Sequence, residues 1–96
     1  MTAEHLYGIL ADTVGGPLMV NDFMLNVGEA LKSGEHLEYR FQGHLGIAGK
    51  LWLNKGKAPY VTCDPEDETA GRKQLITLAN QDLAAMYARQ QRDVQQ

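Results

Sequence analysis

The sequence predicts an α+β domain made of two N-terminal helices, a three-stranded antiparallel meander and a long C-terminal helix. Three observations predict it. Apolar residues recur at helical spacing as far as Leu31, strict alternation takes over at Leu37, and helical spacing returns beyond Cys63. A chain of 96 residues, 44% hydrophobic and 22% charged, suits a single apolar core and is too apolar to stay disordered. Residues 1–90 are therefore expected to form one domain and 91–96 a polar, frayed tail.

In the first helix, Leu6, Leu10 and Val14 make the stripe, with Ala3, Tyr7 and Ile9 beside them and Thr2 as the expected N-cap. Gly8 weakens this helix by about 1 kcal/mol relative to Ala. Gly15-Gly16-Pro17 then breaks the chain, and Pro17 either opens the second helix or belongs to an extended lead-in that ends at Asn21. Asn21 is the expected cap of that helix. Asp22 stands in its first turn, Phe23, Val27, Ala30 and Leu31 form its apolar side, and Gly34 closes it in the left-handed conformation.

Leu37, Tyr39 and Phe41 alternate with Glu38, Arg40 and Gln42, and the run from Leu45 to Leu53 alternates in the same way, so both are strands. Asn54-Lys55-Gly56 reads as a three-residue turn with Gly56 at positive φ. That turn sets Lys50 opposite Tyr60, Ala48 opposite Thr62, Gly49 opposite Val61 and Ile47 opposite Cys63, and makes residues 58–63 the third strand. A Gln42-Gly43-His44 loop in the first hairpin keeps Tyr39 and Phe41 on the leucine face, whereas a two-residue loop would turn them away. Asp64-Pro65-Glu66-Asp67 reads as the start of the last helix, with Asp64 as cap. Its expected buried stripe is Leu75, Ile76, Ala79, Leu83 and Met86, with Leu78 and Tyr87 at the margins.

Little in this pattern asks for catalysis. His5, His36 and His44 do not share a helical face, so no metal and no cofactor is expected. His36 and Lys50 are placed opposite each other at one end of the sheet, as solvated strand residues. Cys63 precedes a helix start, where a thiol can become reactive, but it falls on the Ile47 face and is expected to be a buried small hydrophobe. The acidic run from Asp64 to Glu68 lacks the glycine and glutamate of a calcium loop, since those places hold Thr69 and Leu75. No nucleophile elbow or phosphate loop occurs, and a non-enzyme is expected.

The second face of the sheet is the most informative feature. Arg40, Lys50, Trp52 and Tyr60 are interleaved there with the small residues Gly46, Ala48 and Thr62, and Trp, Tyr and Arg are the types enriched in binding hot spots. The N-terminal helices either cover this face or leave it open, and the need of Arg40 and Lys50 for water favours an open one. Asp64, Glu66, Asp67 and Glu68 offer a second, anionic candidate surface.

From Asn21 onward the order helix, strand, strand, strand, helix resembles a double-stranded RNA-binding domain. That resemblance implies a basic cluster at the start of the last helix. Here the matching places hold Asp64, Glu66, Asp67 and Glu68, with Arg72 and Lys73 a turn later, so the charge is inverted. The sheet and last helix also resemble sheet-reading DNA-binding domains of the integrase-arm type, which implies major-groove contacts from Arg40, Lys50 and Trp52. Nine basic against twelve acidic residues give a formal charge of −3, which disfavours a nucleic-acid partner. The expectation is a small adaptor or inhibitor that binds a protein through the Trp52 face or the acidic segment, with homo-oligomerisation open and nucleic-acid binding as the alternative. One cysteine, no basic leader and no long apolar run lead us to expect a cytoplasmic protein without a membrane span.

Overall fold

The computed structural model describes residues 1–44, 46–67 and 69–95. Helix α1 spans Ala3–Val14 and starts where Thr2 Oγ1 accepts the His5 N–H at 3.2 Å. Helix α2 spans Val20–Ser33, one residue ahead of the expected cap. Asn21 is not that cap: Met19 holds the position without a side-chain bond, and its carbonyl accepts the Phe23 N–H at 2.9 Å. The cause is tertiary. Pro17 forms an isolated bridge with Gly43, and the Leu18 N–H donates to the Gln42 carbonyl at 2.9 Å, so pairing with the sheet fixes where the chain turns into α2. Pro17 thus lies in an extended lead-in. Gly34 ends α2 at φ 73°, as its position required.

Strands β1 (Leu37–Gln42), β2 (Ala48–Leu53) and β3 (Tyr60–Cys63) form an antiparallel sheet in the order β1-β2-β3. Both registers differ from the expected ones, and by even numbers of residues. Phe41 faces Gly49 because the first hairpin turns through Gly43 to Gly46, closed by Gly46 N–H to the Gly43 carbonyl at 3.0 Å, and not through residues 42–44. In the second hairpin Lys50 faces Thr62, Trp52 faces Tyr60 and Gly49 faces Cys63. Gly56 does stand at φ 76°, with Lys57 N–H on the Asn54 carbonyl, but the ladder pairs only from Tyr60, opposite Trp52. An even slip leaves every side chain on its predicted face.

Helix α3 spans Ala70–Gln95. Asp64 and Pro65 do not open it, which corrects the expected boundary. Pro65–Asp67 forms a short 3₁₀ turn, and the Thr69 hydroxyl accepts the Arg72 N–H at 3.3 Å at the start of the long helix. Ile76, Ala79, Leu83 and Met86 are buried as expected, Leu75 is half-buried, and Leu78 is 44% exposed.

One core joins all three helices to one face of the sheet. Leu6, Leu10, Val14, Phe23, Val27, Ala79 and Leu83 pack with Tyr39, Phe41, Leu51, Leu53 and Val61. Among the described residues no α-helix covers the other face, as the exposure of Glu38, Arg40, Gln42, Tyr60 and Thr62 records. The two sheet edges are treated differently. Asn80 of α3 accepts the Val61 N–H at 2.7 Å and donates to the Val61 carbonyl at 3.0 Å, so one amide satisfies both outward backbone groups of Val61 on the free edge of β3. Among the described residues no helix is long and apolar enough to cross a membrane.

Tyr39 ties α2 to β1 by donating its hydroxyl to Asp22 Oδ2 at 2.7 Å. Burial first, then this bond and the Asp22 charge, push its phenol up to about 12 from 10.0. The unfolded chain loses that proton near pH 10 and the folded chain keeps it to about 12, so the associated stability is whole below pH 10 and is lost between about 10 and 12. A shift of two units corresponds to at most about 2.7 kcal/mol, and solvent around the exposed Asp22 reduces it. Tyr39→Phe, which cannot ionise, should flatten the fall of denaturation midpoint over that range; an identical fall in both proteins would remove Tyr39 as its source.

Candidate functional site

The strand register assembles the site. Trp52 and Tyr60 are cross-strand partners on the open face, and their rings lie 5.9 Å apart at 6°, a stacked pair. The indole N–H donates to Thr62 Oγ1 at 2.9 Å, which fixes the ring over β3. His36 stands beside the indole at 6.3 Å, held by a 2.6 Å hydrogen bond between Nδ1 and Asn54 Oδ1. It lies next to Trp52 and Asn54, whereas the residue opposite Lys50 on β1 is Arg40; the expected His36 to Lys50 pairing is corrected by the register.

Arg40 and Lys50 are like charges placed directly opposite each other, an arrangement that repels unless each finds a carboxylate. Both do. Arg40 Nη2 donates to Asp64 Oδ2 at 2.7 Å, and Lys50 Nζ lies 3.7 Å from Glu38 Oε1 and 5.5 Å from the Trp52 ring centroid. Asp64 is only 17% exposed, while Arg40 is 67% exposed. The Asp64 carboxylate therefore pins the turn after β3 to the sheet face.

Asp64 and Glu66 of the acidic segment thus lie beside the sheet face. Arg40, Lys50, Trp52 and Thr62 border a shallow cleft of about 340 Å³ whose far wall is Asp64, Pro65 and Glu66. Asp67 ends the 3₁₀ turn, but its side chain and the whole of Glu68 lie outside the described residues. Gly46 is at the first hairpin turn, away from the strand ladder. Cys63 packs against the core at the end of β3 but is half-buried, where a buried small hydrophobe was expected. The helix that follows it is the three-residue turn, too short to act on a thiol as a long helix N-terminus would. Among the described residues no group of three or more His, Cys, Asp or Glu is arranged to hold a metal ion.

Sequence reasoning missed His36, Asn54 and Thr62 as supports of the indole. Their signal was faint: Asn54 and Thr62 are polar residues two positions from Trp52 and Tyr60, and His36 is two positions from Glu38, which faces Trp52. Comparison with known protein families, curated proteins and solved structures finds no match to this chain.

Proposed function

We propose that this chain is a small non-enzymatic interaction protein, an adaptor or inhibitor, that binds a protein partner through the open sheet face centred on Trp52, with Asp64 and Glu66 at its margin. A cytoplasmic setting belongs to the same reading. One observation carries it: an aromatic pair lies on an uncovered face, and the two cations of that face are each matched by a carboxylate of the same chain. A flat, half-exposed aromatic centre with a balanced polar rim is the composition of a protein-binding patch. The second reading, nucleic-acid binding by Arg40, Lys50 and Trp52, rests on the same residues, but Asp64 and Glu38 already offset the charge of both cations.

Trp52→Ala tests the proposal. The indole is half-exposed, so the substitution should cost the fold only about 1 to 2 kcal/mol. Partner affinity, measured on complexes recovered from native host lysate, should fall by about 30-fold or more, equivalent to about 2 kcal/mol. Capture that survives nuclease and fails with Trp52→Ala supports the proposal. Capture lost to nuclease, with a salt dependence weakened in the Arg40→Glu, Lys50→Glu double variant, would install the second reading.

A further inference from the structure

A sheet of three strands has two edges, and the described residues treat them differently. On β3, the bond from Asp64 N–H to the Ala48 carbonyl makes 48 and 64 a hydrogen-bonded pair, so alternation turns the backbone groups of Val61 outward. Asn80 satisfies both of them. On β1, the Gly43 N–H to Ile47 carbonyl bond sets 39 and 41 inward toward β2 and 38, 40 and 42 outward. The Gln42 carbonyl is taken by the Leu18 N–H. Among the described residues nothing is hydrogen-bonded to the outward backbone groups of Glu38 and Arg40.

We propose that this open edge of β1 is a homodimer interface, at which two copies pair antiparallel about Tyr39 into one six-stranded sheet. Charge identifies the occupant and the register. With the two-fold at Tyr39, Glu38 of each copy lies directly opposite Arg40 of the other, and both are outward-facing residues that exchange N–H and carbonyl bonds. A slip of the strand by two residues toward either end puts Glu38 against Glu38 or Arg40 against Arg40. A slip by one sets outward groups against inward ones and breaks the ladder. The Arg40 guanidinium has donors beyond the Nη2 bond to Asp64, so the second copy's carboxylate is bound without breaking that pair.

The ends of the edge fit the same occupant. Leu18 and Met19 are 47% and 68% exposed, and with Arg40, Phe41 and Gln42 they border a cleft of about 250 Å³. In the Tyr39-centred register the second copy's Leu37 approaches this cleft, and Leu18, already bonded to Gln42, ends the pairing there. The paired stretch is short and buries less than the roughly 1,200 Å² of a stable complex, so the dimer is a concentration-dependent one. It sets two Trp52 faces side by side, yet it does not depend on what those faces bind.

Sedimentation equilibrium from about 10 μM to 1 mM, spanning the range of a weak complex, tests it. The average mass should climb from 10.6 kDa toward twice that value. Glu38→Arg alone and Arg40→Glu alone should each stay monomeric, and an equimolar mixture of the two should dimerise, because one edge then carries only cations and the other only anions. Amide exchange in the unaltered protein needs no substitution: the Glu38 and Arg40 amides should slow with concentration, while those of Tyr39 and Phe41 stay slow throughout. A monomer at the highest concentration, a dimer indifferent to the charge variants, or a mixture that does not dimerise would overturn the proposal. A dimer lost in Trp52→Ala but kept in both charge variants would also do so, placing the contact on the other surface.

Discussion

Phe23→Ala should destabilise the domain by about 3 to 5 kcal/mol, the range for emptying an aromatic site in a packed core. Phe23 is fully buried and joins three elements at one point. Its ring meets Tyr7 of α1 at 5.9 Å and Tyr39 of β1 at 5.5 Å, both edge-on, while its own backbone lies in the first turns of α2. Neighbours on different elements cannot collapse into the space together, so most of the cavity remains. For a domain of this size the loss corresponds to a melting temperature lower by about 12 °C or more. It also loosens the attachment of α2 to β1, since the Tyr39 to Asp22 bond depends on the same packing. Thermal melting followed by circular dichroism checks the result; a shift of only a few degrees would mean that the aromatic cluster is not the centre of the core.

The fold was legible because hydrophobic period is a local signal and burial obeys it. Leu37, Tyr39 and Phe41 had to share a face with Leu51 and Leu53, and no register with the right parity separates them. The lengths of the connections were not legible, because remote or chemical features set them. The bridge from Pro17 to Gly43 links the first turn to the start of α2, and nothing local in the sequence marks that β3 pairs only from Tyr60. Asp64-Pro65-Glu66 carries every local mark of a helix cap. Arg40, distant in sequence, draws the Asp64 carboxylate to the sheet, and Thr69 serves the long helix instead.

The site divides along the same line. Alternation placed Arg40, Lys50, Trp52 and Tyr60 on one face, whereas the absence of a covering helix is a matter of packing that no count of helices decides. That the acidic segment lies against the same face follows from one ion pair, which the sequence marks only as two opposite charges. Asn80 was visible as a polar residue beside the buried Ala79, and its meaning depends on the edge strand that it meets.

Gly49→Ala should lower stability by about 3 kcal/mol, because the added methyl has nowhere to go and its obstruction is backbone. A Cβ at position 49 runs into the Thr62 carbonyl oxygen, with the Thr62 carbonyl carbon at 3.2 Å and Cys63 Cα at 3.3 Å. A side chain in the way can change rotamer; a strand cannot, so β2 and β3 must part where Gly49 faces Cys63. The damage then reaches the open face. The Thr62 hydroxyl holds the Trp52 indole, and the bond from Asp64 N–H to the Ala48 carbonyl lies one residue further along the same ladder. Gly49→Ala should therefore shift Trp52 fluorescence as well as lowering the melting temperature. Gly8→Ala is the control: no atom lies within 4 Å of its added Cβ, and an exposed helix interior gains about 0.5 to 1 kcal/mol from alanine. Equal melting temperatures for Gly49→Ala and the unaltered protein would show that the strands are not as close at this point as the fold requires. A large loss of stability without any change in indole emission would sever the link from the β2 to β3 ladder to the Trp52 face.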